Sequence, residues 1–237
     1  MDNFTPDMIA IGALWYVVFL FSTTLHEAAH ALAAKLGGDM TAFEGGQVTL
    51  DPRPHIQRSP FGMVVMPILS YLLGGSMIGW ASAPYNLRWS QRYPRRAALM
   101  SLAGPLANLS LVVLSGLAIR VGMSMGLFVA PSHISFTHVT EAQGGGFLAT
   151  VAMLLSICFM LNLLLGVFNL LPMPPLDGSG VVTLLMSPSM AIRWSNFMQQ
   201  PNFSLIGMLV AWRVFPYLFG PFQHFAIRML YPGVGYY

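Results

Sequence analysis

His26-Glu27-Ala28-Ala29-His30 sets two imidazoles four residues apart with a carboxylate between them. On a helix, residues at that spacing share a face with Cβ atoms about 5–6 Å apart, so both rings can reach one metal ion while Glu27 addresses its bound water. In a soluble helix the same five residues are often an exposed face carrying two unrelated histidines. Here they lie in an apolar run, residues 8–34, in which Glu27 is the only formally charged residue. A membrane helix offers no solvent face for such a trio, and a central acidic residue costs roughly 2.5–3.5 kcal/mol unless it faces protein or a wet cavity. The pattern predicts a metal site within a span. A catalytic zinc usually takes three protein ligands and leaves the fourth position to water, so a third ligand must come from elsewhere.

Phe168-Asn169-Leu170-Leu171-Pro172-Met173-Pro174-Pro175-Leu176-Asp177-Gly178 contains a candidate. Three prolines in four positions cannot continue a helix, so the chain must unwind there into a rigid, extended turn. Counting inward from Phe147 places Asn169 near the end of its span, at a depth compatible with His26 and His30. Asp177 is then the natural third ligand, a hard anionic oxygen with Gly178 allowing backbone to pack closely behind it. An N-cap for the next helix is an equal alternative for this aspartate.

The elements that must position these residues are membrane helices. Of 237 residues, 55% are hydrophobic and 8% charged, against about 25% charged in soluble domains. The expected fold is an all-α polytopic membrane protein, with spans over residues 8–36, 97–121 and 147–171 and a fourth, 203–222, interrupted by Arg213 and Pro216. The first run lacks a nearby basic region and a small-residue cleavage pattern, so it reads as a retained helix. Residues 61–83 are also uncharged, yet Arg53 and Arg58 precede them and Arg88, Arg92, Arg95 and Arg96 follow. Arginine-rich short loops belong on the cytoplasmic side, so this segment is expected to be a re-entrant hairpin, broken at Pro67, Gly74, Gly75 and Gly79. With Asp2 and Asp7 outside, His26 lies about 27 Å along the first helix at 1.5 Å per residue, in the cytoplasmic third of the bilayer. Gln47-Val48-Thr49-Leu50 alternates between Gly and Pro punctuation and suggests a short strand near the site. The chain is expected to be one domain, 1–237, with its core at about 8–186 and a C-terminal membrane segment at about 203–222.

Taken together, His26 to His30 and Asn169 to Gly178 resemble the paired motifs of the site-2 protease family, intramembrane zinc metalloproteases of peptidase family M50. Gly104-Pro105-Leu106-Ala107-Asn108 resembles a third motif of that family, and Gly46 to His55 is similar to a segment of its compact bacterial and archaeal branch. The likeness covers roughly residues 25–182 and departs from better-known members in showing no inserted PDZ domain and no appended CBS domain. It implies one zinc ion per chain held by His26, His30 and Asp177, Glu27 as general base, and a membrane-protein or membrane-peptide substrate. Asn169, Asn108 and His55 are candidate substrate contacts: Asn169 bonds the substrate backbone or the developing oxyanion, or else a neighbouring helix, and His55 either lines the water entry or is an interfacial, structural histidine. The implied location is a prokaryotic plasma membrane with the active site toward the cytoplasm.

Other readings stay open at this level. A catalytically idle relative binding membrane proteins would not need Glu27, a protease acting on non-transmembrane peptides would not need the Asp-Gly segment, and a zinc transporter would spread its ligands along a path. Cys158 stands alone, which excludes an internal disulfide and a cysteine zinc cluster. The seventeen methionines are scattered through the spans as packing residues, without a copper or haem pattern. His133, His138 and His224 have no helical partner, and nothing points to a nucleic-acid partner.

Overall fold

The computed structural model describes residues 5–236; Asp2, used above to orient the N-terminus, lies outside them. Helix α1, Pro6–Leu36, begins where the Thr5 hydroxyl accepts a hydrogen bond from the Met8 N–H and Pro6 occupies the first turn, where its missing donor is not needed. Its 31 residues reach about 46 Å at 1.5 Å per residue, enough to cross a bilayer and emerge. Two short helices follow, α2 (Thr41–Glu44) and α3 (Pro52–Arg58).

The chain then turns back on itself. A π-helical stretch, Phe61–Val65, runs into α4, Met66–Gly74, and Gly75 ends it in the left-handed region (φ 69°), which glycine adopts without strain. Residues 77–86 return without regular structure along the helix that brought them. Ile78 N–H donates to Ser70 Oγ (2.8 Å), Trp80 N–H to the Gly62 carbonyl (3.1 Å) and Arg58 Nε to the Ser82 carbonyl (3.0 Å). The hairpin thus leaves beside the point where it entered, as its basic flanks predicted. Its tip runs toward the N-terminal end of α1, with Tyr16 donating to the Met63 carbonyl (3.3 Å) and Tyr71 to the Met8 carbonyl (2.7 Å).

Asp39 ties the hairpin's exit to the end of α1. Its carboxylate accepts from the Asn86 N–H (2.7 Å) and from the N–H and hydroxyl of Thr41 (3.0 and 2.6 Å). Burial pushes this carboxyl up, and the hydrogen bonds from Thr41 and Asn86 outweigh it, holding the group below the usual carboxylate range. Asn86 then caps α5, Leu87–Arg92, accepting from the N–H groups of Arg88 and Trp89.

Helix α6, Pro94–Ser124, packs along α1 on one side and, on the other, along α7, Phe147–Asn169. Its buried residues Gly104, Asn108, Leu111, Ser115, Ile119 and Gly122 recur at helical spacing, and the small ones, Gly104, Ser115 and Gly122, let the neighbouring elements approach closely. Between α6 and α7 the strands β1 (Phe128–Val129) and β2 (Glu141–Ala142) pair antiparallel. After α7 come α8 (Gly178–Val181), a 3₁₀ turn (Val182–Leu185), α9 (Pro188–Met198) and α10 (Pro201–Leu230). Helices α1, α6, α7 and α10 are long and apolar enough to cross a membrane, and α10 continues through Arg213, Pro216 and Pro221 instead of breaking.

The strand expected at Gln47–Leu50 does not form. Gln47 N–H bonds to the Ala42 carbonyl (2.9 Å), and the Thr49 carbonyl is taken by His55 Nε2 (3.1 Å), so the segment curls onto α2 and α3 and offers no ladder. The β pairing that does exist lies beyond the C-terminal end of α6, away from the ligand-bearing end described next.

Single cysteines placed at Gln57 and at Gln91 in a Cys158→Ser background are expected to react with an impermeant thiol reagent from the same side of the membrane. Labelling from opposite sides would make residues 61–83 a full span.

Candidate metal centre

The N-terminal part of α6 supports the two histidines of α1 from behind. His30 Nδ1 lies 2.7 Å from the Met100 carbonyl, which can only accept, so Nδ1 carries the proton and Nε2 keeps its lone pair. His26 Nδ1 lies 2.5 Å from Asn108 Oδ1 and is held the same way. Both Nε2 atoms then face the carboxylate of Asp177. His26 Nε2 and His30 Nε2 are 3.0 Å apart, and Asp177 Oδ2 stands 3.1 Å from the first and 3.2 Å from the second.

Three lone-pair atoms at these distances repel unless something positive lies between them. Protonating both rings sets two imidazolium charges against each other by about 5 kcal/mol even at an effective dielectric constant near 20, and a proton on one ring alone leaves the other Nε2 lone pair facing the carboxylate. A cation does solve it. Ligand atoms about 2.0–2.2 Å from a tetrahedral zinc lie about 3.3–3.5 Å apart, close to the triangle seen here, and two imidazoles with one carboxylate match a catalytic zinc set with an open fourth position. Among the described residues Asp177 Oδ2 is buried without a hydrogen-bond donor, which fits the ligand atom of a metal site. Asp177 heads α8, yet its side chain makes no capping hydrogen bond. Of the two readings of this residue, the geometry favours the ligand.

Close approach of α6 is needed for this arrangement. A Cβ on Gly104 would run into the Nε2 atoms of His26 and His30, so only glycine leaves the ligand atoms their space. Behind Asp177, the Gly178 backbone presses against the carbonyls of Leu170 and Leu171. Glu27 is buried one residue from His26, and its Oε2 has no protein partner.

The three expected substrate contacts fare differently. Asn108 is fully buried, with its side-chain oxygen against His26 Nδ1. His55 is likewise buried and spends Nε2 on the Thr49 carbonyl, holding a loop. Their polar side chains suggested exposure to a ligand, but they sit on inward faces of α6 and α3. Asn169 stays half-buried at the end of α7, with its amide nitrogen on the Leu165 carbonyl (3.0 Å). Sequence reasoning missed the Met100 carbonyl and the space at Gly104. A backbone acceptor has no side-chain signature, although the Gly-Pro motif did mark the right turn of helix.

A model of the family described as "Peptidase family M50" matches residues 14–211. The chain is similar to "Putative zinc metalloprotease YwhC" of Bacillus subtilis (strain 168), 29% identical over 211 residues, or 89% of this chain and 84% of that one. It is also similar to two mycobacterial proteins named "Putative zinc metalloprotease Rip2". The Mycolicibacterium smegmatis protein is 32% identical, with 79% of this chain and 63% of that one covered. The Mycobacterium tuberculosis (strain ATCC 35801 / TMC 107 / Erdman) protein is 36% identical, with 73% and 59% covered. The chain thus spans less than two thirds of the length of these mycobacterial relatives. No solved structure matches it.

Elemental analysis of the purified chain is expected to find one divalent metal ion per molecule. Asp177→Ala and Gly104→Ala should each lower occupancy sharply, the first by deleting a ligand and the second by displacing two. Full occupancy in Asp177→Ala would move the third ligand elsewhere.

Proposed function

This chain belongs to peptidase family M50, and from that premise we propose that it is a zinc metalloendopeptidase that hydrolyses peptide bonds of transmembrane or membrane-associated proteins. The observation that carries the reading is the convergence of His26, His30 and Asp177 beside a buried, unpartnered Glu27 on a helix long and apolar enough to span. A zinc ion held by this trio would supply a water with its pKa lowered to about 7 and a Lewis acid for a peptide carbonyl. Glu27 is placed to take a proton from the attacking water and to return it to the leaving amine, reversing from base to acid. Asn169, at the mouth of the unwound segment, is the residue we assign to the substrate backbone, because its side-chain oxygen remains available after its amide nitrogen bonds to Leu165.

Helical substrate must unwind before it is cut, since carbonyls inside a helix are hydrogen-bonded and shielded. A site within the bilayer suits substrates with marginal helices near the membrane surface, where the cost of exposing backbone is lower. The arginines at 88, 92, 95 and 96 follow the returning hairpin on the side where α1 ends, and support a cytoplasmic placement of that side. We take the membrane to be the prokaryotic plasma membrane that the family resemblance implies, and the described chain to act as one catalytic domain.

Glu27→Gln preserves the shape of the side chain but cannot take the proton. The variant should keep its zinc while cleavage of membrane peptides falls by at least about a hundredfold, the lower end of what a positioned base contributes. A comparison of membrane proteomes with wild type and Glu27→Gln should show substrates accumulating intact in the variant. Undiminished turnover would remove Glu27 from the chemistry, and an unchanged proteome would favour a binding role without proteolysis.

A further inference from the structure

Asn162 lies on α7, a full helix away from the histidines, and carries no role in the chemistry above. Ser22, Asn108 and Asn162 are all 0% exposed, so their polar atoms must satisfy one another. The two ends of an asparagine amide look alike, and their assignment has to come from their partners. Here the row of contacts ends on groups that have only one possible role. The Cys158 carbonyl accepts and cannot donate, so the Asn162 atom 2.8 Å from it is the amide nitrogen, whose second hydrogen reaches Ser22 Oγ at 2.9 Å. The other end of Asn162 is then Oδ1, and the Asn108 atom 2.8 Å from it must be a nitrogen. The Ser22 carbonyl, 3.5 Å from the same nitrogen, agrees. Asn108 is left facing His26 with its oxygen, which requires the proton on Nδ1 and leaves Nε2 bare for a metal.

We propose that Asn162 is a positioning residue for the metal centre, which holds His26 in its Nδ1-protonated tautomer by fixing the orientation of Asn108. This rests on the reading that His26, His30 and Asp177 hold zinc. Removing Asn162 leaves only the long 3.5 Å contact with the Ser22 carbonyl to hold the Asn108 amide, which can then turn over. Its NH₂ group would then face His26 Nδ1 and favour the tautomer with the proton on Nε2, where it excludes the metal. His30 needs no such device, because a backbone carbonyl cannot turn over. The amide row links α1, α6 and α7, so the packing of the three central helices and the protonation of one ligand depend on the same contacts.

The test is zinc affinity, measured by chelator competition on the folded fraction of the full chain in detergent. Asn162→Leu keeps the branched shape of the side chain without its polar atoms and should weaken zinc binding about 10–100-fold, the usual effect of losing an outer partner of a ligand. Asn162→Ala is a smaller change for the same comparison. Ionised, Asn108→Asp offers His26 Nδ1 only acceptor oxygens whichever way it turns, so the Asn108→Asp/Asn162→Leu double variant should recover most of the lost affinity. A purely structural role for Asn162 would not be rescued in this way. Unchanged affinity in both Asn162 variants, or no recovery in the double variant, would overturn the proposal while wild-type zinc binding left the metal reading standing. No zinc binding by the wild type would overturn both.

Discussion

Three lone pairs aimed at one point inside an apolar protein are the constraint on which the rest of the structure depends. His26 Nε2, His30 Nε2 and Asp177 Oδ2 lie 3.0 to 3.2 Å from one another. A metal ion between them would relieve all three at once, provided that protons are kept off the nitrogens. Each requirement has a structural counterpart. The prolines after α7 unwind the chain so that Asp177 can turn back toward α1, Gly104 removes the side chain that would fill the centre, and acceptors behind each ring hold the protons on Nδ1. Helix α6 therefore serves both as packing partner and as the wall that sets ligand chemistry.

The same rule, that polar groups in an apolar medium must find partners within the protein, explains the hairpin. A returning strand without a sheet would be costly at membrane depth. Here its amides and carbonyls are partly used by the helix beside it, through Ser70, Gly62 and Arg58, and its exit is held by a buried carboxylate at Asp39. The π-helical start of the segment brings Gly62 close to the returning chain at Trp80, where a side chain could not fit.

Much of this was legible in the chain. Long apolar runs with few charges gave the four spanning helices, because length and hydropathy are local properties. Arginines on both sides of residues 61–83 gave the hairpin, because charge opposes translocation whatever the surrounding fold. What the chain did not carry was direction. Asn108 and His55 turn inward, onto His26 and the Thr49 carbonyl, and Gln47–Leu50, expected to be a strand, is not one. Which way a polar side chain points depends on what packs against it, and a strand forms only if another offers it a free edge.

By itself, then, the sequence determined the ligand types, their spacing on α1, the need to unwind before Asp177 and the membrane setting. Helical periodicity and the conformational limits of proline are sufficient for these. The tertiary structure decided whether Asp177 capped a helix or met the histidines, which face of α6 lay behind them, and which nitrogen of each ring stayed bare. Those outcomes depend on contacts between residues up to 151 positions apart, such as His26 with Asp177, and no local pattern carries the distance or the direction of a hydrogen bond across three helices.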